Sequence, residues 1–291
     1  MLRNDVLKMG PINGHLVALG LKELVRRAIV TIRNERLIFE ATTKESYSGT
    51  MDDVFTSADT KAQEIYLRGF RESFPFCGII AEEQGLTIPP RFGCDVTFTV
   101  DPLDGTKAFV RRQSHGVGTM IAMLQGTDII AAFVGDVNTD ELYCFRPGSP
   151  SVWRISRLDS FEKLEYKGGD KLSESYMLLR EPPEDYGALP QRTLKMFKKY
   201  DMGSGSIGIW AARLWKREVA ALMMPGGWET PWDSNPIIGI SLQLGYVFLR
   251  NDRDDNRWSM FIPGPVREKF RREHDILIVH KADLPQLSAF I

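Results

Sequence analysis

The sequence predicts a layered α+β architecture, not an array of βαβ units. Strand-like segments follow one another from Gly78 to Phe145 without the intervening helices of a doubly wound sheet, and helical periodicity comes in separate blocks before and after them. With 291 residues, 43% of them hydrophobic, the chain is long enough for one large domain or two packed halves.

The first block, Leu16 to Leu37, sets Leu21, Leu24, Val25, Ala28, Ile29 and Ile32 on one stripe, with Lys22, Arg26, Arg27 and Arg33 off it. Ser48-Gly49 marks a turn. Ser57 can cap a second helix running to about Ser73, and Pro75 ends it. Strands are expected at Gly78–Ala81, Val96–Val100, Gly116–Leu124, Ile129–Val137 and Glu141–Phe145, each bounded by Gly, Pro, Asn or Asp. Arg146 to Asp185, richer in Gly, Pro, Ser and charge, reads as the seam between an N-terminal half (1–148) and a C-terminal half (149–291). Beyond it, helices are expected at Pro190–Tyr200, Ile209–Leu222 and Asp233–Leu244, and strands at Tyr246–Leu249 and Ile276–His280.

Composition removes several function classes. Lys and Arg total 37 against 38 acids, a formal charge of −1, so no basic field favours nucleic acid. Cys77, Cys94 and Cys144 form no Cys-x-x-Cys pair and are expected to be reduced thiols of a cytoplasmic protein. No stretch reaches the length of a spanning helix, so no membrane contact is expected. The pairs Arg26-Arg27, Arg111-Arg112 and Arg271-Arg272 read as solvated faces. Asp252 to Asn256 lacks the Gly and Glu of an EF-hand, because Arg257 and Pro263 stand there, and reads as a solvated turn. Gly203 to Gly208 matches G-x-G-x-x-G, but the charged segment before it reads as helix where a dinucleotide fold needs a hydrophobic strand.

The chemistry concentrates in acids at element ends. Asp101-Pro-Leu-Asp104-Gly-Thr106 follows the apolar run Val96–Val100. A strand ending at Asp101, a Pro-fixed turn and a short helix opening at Gly105-Thr106 would gather oxygen ligands and backbone N–H groups suited to magnesium and phosphate. On these six residues alone an ordinary Pro-Asp-Gly turn stays open. Ile79-Ile80-Ala81 runs into Glu82-Glu83, Asp59 lies early in the second helix, and Trp232-Asp233 opens a later one. Gathering such carboxylates is unfavourable without cations, since two unit charges 4 Å apart interact by about 4 kcal/mol at an effective dielectric near 20. Each alone could equally be a cap or a solvated strand end.

Glu82-Glu83, Asp101 to Thr106 and Trp232-Asp233, in this order, resemble the inositol monophosphatase family of Mg²⁺-dependent, lithium-sensitive phosphatases, from the first helix to near the C-terminus. The resemblance implies a layered αβαβα sandwich, a homodimer and two or three Mg²⁺ per site. It implies that Glu82, Asp101 and the Leu103 carbonyl bind one metal, and Asp101, Asp104 and Asp233 a second. Thr106 would position the attacking water and Asp59 would orient Thr106, giving Thr106, Asp59 and Glu82 as the catalytic set. Gly105 and Thr106 would hold the phosphate, with Lys44 a looser match, and Ser206, Gly208 and Ile209 would contact substrate. The implied activity is hydrolysis of an inositol, sugar or polyol phosphate. The substrate side departs from the family: Ile209-Trp210 replaces smaller residues, Ser234-Asn235-Pro236 follows Asp233, and Gly226 stands where the family carries an acid, with Glu229 the nearest one. A 3′(2′),5′-bisphosphate nucleotidase and a catalytically silent phospholigand-binding homologue are therefore the alternatives.

Overall fold

The structure, a computed structural model, describes residues 13–44, 53–166, 168–252 and 255–291. The turn expected at Ser48-Gly49, and Arg253 and Asp254 of the acidic turn, lie outside the described residues.

Helix α1 (Gly14–Glu35) starts on Asn13, whose side chain accepts from the His15 N–H, and it buries the predicted stripe. Strands β1 (Ala41–Lys44) and β2 (Asp53–Thr56) pair antiparallel and lead into α2 (Ser57–Ser73). The cap of α2 is Thr56 rather than Ser57. Its side chain accepts from the Ala58 N–H while Asp59 accepts from the Thr56 N–H, closing a capping box.

Next come β3 (Gly78–Ala81), β4 (Thr87–Ile88), β5 (Val96–Asp104), the short α3 (Thr106–Val110), β6 (Gly118–Gln125), β7 (Asp128–Asp136), β8 (Leu142–Phe145), β9 (Val152–Ile155) and β10 (Phe161–Leu164). They form one eight-stranded sheet, ordered β10-β9-β8-β7-β6-β5-β3-β4, in which only β3 and β5 are parallel. The sheet therefore continues past residue 148 to Leu164. Strand β5 does not end at Asp101. It runs through the motif to Asp104 with a register shift, and Pro102 sits in that irregularity, where a ladder N–H is dispensable.

The rest supplies β11 (Tyr176–Leu179), α4 (Ala188–Leu194), β12 (Lys199–Met202), α5 (Ile207–Trp215), β13 (Ala221–Met224), β14 (Gly227–Glu229), α6 (Pro231–Gln243), β15 (Tyr246–Asn251), β16 (Ser259–Phe261), β17 (Phe270–Arg272) and β18 (Asp275–His280). A six-stranded sheet is ordered β12-β11-β13-β18-β15-β16, and β14 pairs with β17 as a ribbon beside it. Two predicted helices are shorter than expected. The first stops at Leu194, and 199–202 pairs with β11 as an edge strand; the second stops at Trp215, and 221–224 is a buried strand between β11 and β18. A short apolar run of this kind carries no period that separates buried strand from buried helix.

Three cores define five layers. Helices α1 and α2 cover one face of the first sheet, with Phe70 stacked on Phe98 at 4.2 Å. Helices α5 and α6 fill the space between the sheets, touching Met120 and Val134 on one side and Leu222, Phe248 and Ile278 on the other. Leu189 of α4, Tyr186 and Leu287 cover the far face of the second sheet. The order is αβαβα. Lying between the two sheets, α6 is buried almost all round, its polar Ser234, Asn235 and Ser241 included. The fold also brings Cys77 and Cys94 together, Sγ to Sγ 3.6 Å, with no disulfide between them. Among the described residues no helix is long and apolar enough to cross a membrane.

Candidate metal and phosphate site

The C-terminal end of β5 meets the N-terminal end of α6 in the middle of these layers. There Asp101, Asp104 and Asp233 each offer a carboxylate oxygen within 4.8 Å of the others. Asp233 is fixed by its helix cap: Thr230 Oγ1 accepts from the Asp233 N–H at 3.3 Å and donates to Asp233 Oδ2 at 2.6 Å. Asp104 is held by the start of α5, accepting from Ser206 Oγ, from the Gly208 N–H at 2.9 Å and from the Ile207 N–H at 3.2 Å. Asp101 is 2% exposed, and its Oδ1 is buried without a hydrogen-bond partner.

This arrangement is electrostatically unfavourable by itself. Burial pushes Asp101 well above the usual carboxylate range, and the charges of Glu82, Asp104 and Asp233 push it further. Burial and the neighbouring Asp104 raise Asp233 to about 6. Asp104 is raised by burial despite its donors from Ser206 and Gly208. An orphaned oxygen among three desolvated acids is the donor set that a hard divalent cation satisfies, so these residues fit one.

Beside the trio, Thr106 Oγ1 lies 3.2 Å from Asp59 Oδ1 and 3.1 Å from the Leu103 carbonyl oxygen. Asp59 is fully buried, and its other oxygen serves the α2 cap. Gly105 has φ +88°, and a Cβ there would meet the Gly116 carbonyl oxygen at 2.3 Å, so the turn into α3 requires glycine. Glu82 leaves β3 close enough for its charge to raise Asp101, but it stands outside the three-acid group. Glu83 is buried and exchanges two backbone bonds with the Gln63 amide. Ser206 and Gly208, read from the sequence as substrate contacts, direct their donors at Asp104. Ile209 N–H donates to Ser206 Oγ as part of the α5 cap. Lys44 ends β1, and its side chain is outside what the structure describes. The G-x-G-x-x-G loop follows an exposed edge strand, not a helix, and a Cβ at Gly203 would run into the Trp210 ring, so Trp210 packs its own loop.

The family model for the inositol monophosphatase family matches residues 16–250. The chain belongs to that family. This inositol monophosphatase family member is 32% identical over 92 residues to the Nus factor SuhB of Salmonella typhimurium, covering 32% of this chain and 33% of that one. It is 31% identical over 98 residues to the inositol-1-monophosphatase of Caulobacter vibrioides, covering 33% and 37%. The chain thus spans about a third of the length of the curated relatives it matches. The structure of the extragenic suppressor protein SuhB from Bartonella henselae superposes with a TM-score of 0.71 at 17% identity, covering 94% of this chain and 97% of that one. The IMPase of Thermotoga maritima gives 0.69 at 18%, covering 95% and 96%. These likenesses show the αβαβα fold.

Sequence reasoning missed Arg180. It follows β11 just as Glu82 follows β3, so the apolar run Met177-Leu178-Leu179 was its signal. Its charge lowers both Asp104 and Asp233, and its Nη1 donates to the Gly205 carbonyl at 3.1 Å, tying the loop before α5 to the site. Also missed was the role of Asn235, which has no local signal because Val266, the residue it holds, lies far along the chain.

Proposed function

We propose that this protein is a Mg²⁺-dependent phosphomonoesterase that hydrolyses a small phosphorylated metabolite. The observation that carries the reading is the trio of buried Asp101 and Asp104 with half-buried Asp233, in which one oxygen of Asp101 has no partner, next to the Thr106–Asp59 pair. Asp101, Asp104 and Asp233 would hold the cations, with Glu82 and the Leu103 carbonyl as further ligands. When bound, such ions neutralise phosphoryl oxygens and lower the pKa of water enough to supply hydroxide near neutral pH.

The chain's own part is positional. With its hydroxyl proton committed to Asp59 or to the Leu103 carbonyl, Thr106 Oγ1 presents a lone pair that would accept a hydrogen bond from the attacking water and aim it. Gly105 and Thr106 open α3 and would offer their backbone N–H groups to the phosphate, to which Arg180 would add positive charge from the facing sheet. A homodimer, lithium inhibition and a cytoplasmic location belong to the same reading. A solved IMPase/NADP phosphatase of the same fold, described as complexed with Mg²⁺ and phosphate, supports the choice of ion.

The test is Mg²⁺-dependent phosphate release across inositol, sugar and nucleoside phosphates, with Asp104→Asn as control. Turnover lost in the variant supports the reading. Turnover retained at near-normal rate by the variant would remove Asp104 from the site.

A further inference from the structure

A cleft of about 880 Å³ runs from Asp233 and Arg180 to the segment 262–267 between β16 and β17. Its floor is apolar: Ile237, Ile238, Phe248 and Ile276 are all buried there. Trp228 and Phe270, on the paired strands β14 and β17, stand at the edge, 44% and 48% exposed. Of the charged residues of the lining, Glu181, Arg267, Glu268 and Lys269 are exposed at the rim, while Arg180, Glu229, Asp233 and Arg272 lie deeper.

The two positions that could offer a carboxylate to a polyol, 226 and 229, do not have one free. A Cβ at Gly226 would sit 2.8 Å from the Glu273 carbonyl oxygen and 2.9 Å from that of Arg272, so no acid can stand there. Glu229, the nearest carboxylate in sequence, accepts from Arg272 Nε at 2.7 Å and from Ser234 Oγ. The far wall is built in rather than loose. Asn235 is fully buried, accepts from the Val266 N–H at 2.7 Å and donates to the Val266 carbonyl at 2.8 Å, fixing the loop over the cleft. The residues that depart from the family pattern, Gly226, Ser234 and Asn235, thus remove hydroxyl partners and support an apolar wall. His274 Nε2, buried and without a hydrogen-bond partner, leaves one point for a polar contact.

We propose that the cleft receives an apolar, ring-sized group carried by the alcohol half of the phosphate ester, so that the preferred substrate is the phosphate of an aromatic or similarly apolar alcohol rather than of a polyol. The proposal rests on the phosphatase reading, since the cleft opens at Asp233. Shape and desolvation supply the preference: a hydroxyl-rich ring would lose water against Ile237, Phe248 and Ile276 and find few partners, whereas a flat apolar ring gains by leaving water.

The experiment compares phenethyl phosphate with glycerol phosphate and inositol monophosphate. Phenethyl alcohol and the esterified glycerol carbon are both primary, so their leaving groups are matched and the ratio reads binding. The expected kcat/KM for phenethyl phosphate exceeds that for the two polyol esters by about tenfold or more. Trp228→Ala should lower that ratio severalfold. Parity among the esters, or preference for inositol monophosphate, would overturn the proposal and leave the phosphatase reading standing. If folded, Mg²⁺-loaded protein hydrolyses none of them and none of the sugar and nucleoside phosphates either, the phosphatase reading fails, and binding of phenethylphosphonate against methylphosphonate, followed by calorimetry, still decides the cleft. Tighter binding of the phenethyl compound by about tenfold supports it, and equal binding overturns it.

Discussion

Ser206 Oγ donates to Asp104 Oδ2 across 102 positions of sequence, so the cap of α5 and the last residue of β5 share one carboxylate. Ser206→Ala would leave Asp104 with the backbone donors of Ile207 and Gly208 only. The Mg²⁺ concentration for half-maximal phosphate release should rise by about 10- to 100-fold, as for other partners of metal ligands. The lost α5 cap should cost about 1 kcal/mol of stability. A magnesium titration of the variant checks this, and an unchanged midpoint would detach Asp104 from cation binding.

Asp101→Asn should separate stability from activity. Removing a buried carboxylate that burial and three neighbouring acids oppose should leave the metal-free protein at pH 7 as stable as the parent or more so. Phosphate release should fall by about a hundredfold or more, because the ligand with the unpartnered oxygen is gone. Thermal melts in a chelator, beside activity assays, test both halves.

The same acids set a pH dependence. A carboxyl raised on folding binds more protons in the native than in the unfolded state, so its stabilisation is complete below the unfolded pKa and is lost as pH rises through the folded one. For Asp233 the window runs from the ordinary 3.8 to about 6. Melting temperature without metal should therefore fall from pH 4 to pH 6, and added Mg²⁺ should restore more stability at pH 7 than at pH 5. Asp159, held low by Lys22, has the opposite slope, but in a window below 3.8. Melts across this range with Asp233→Asn, which should flatten the decline, check the assignment.

Asn235→Ala would leave the Val266 N–H and carbonyl and the Pro231 carbonyl without its amide. The expected loss is about 1–3 kcal/mol of stability, together with faster hydrogen exchange at the Val266 amide. Equal exchange in the two proteins would show that the wall is held by other contacts.

The elements with a strong period were legible. The stripe of α1 follows from apolar spacing, α2 from a capping residue and the Pro75 stop, and Gly78–Ala81 was bounded on both sides by breakers. The strands β11 and β13 were not, because parallel strands buried on both faces lose alternation. The ribbon β14–β17 joins segments more than forty positions apart, with no local pattern to announce it. At the site, Asp101, Asp104 and Asp233 were legible as acids at element ends. Arg180 had only the short apolar run before it as a signal and Asn235 had none, since what defines them is who faces them: two distant carboxylates for Arg180, and the Val266 backbone for Asn235.

Mn²⁺ titration followed by electron paramagnetic resonance tests the trio as a divalent-cation site without depending on any substrate. The expected result is saturable Mn²⁺ binding that Mg²⁺ displaces and that Asp101→Asn and Asp233→Asn each weaken strongly while the fold is retained. Mn²⁺ binding of the same strength in folded Asp101→Asn and Asp233→Asn proteins would contradict it.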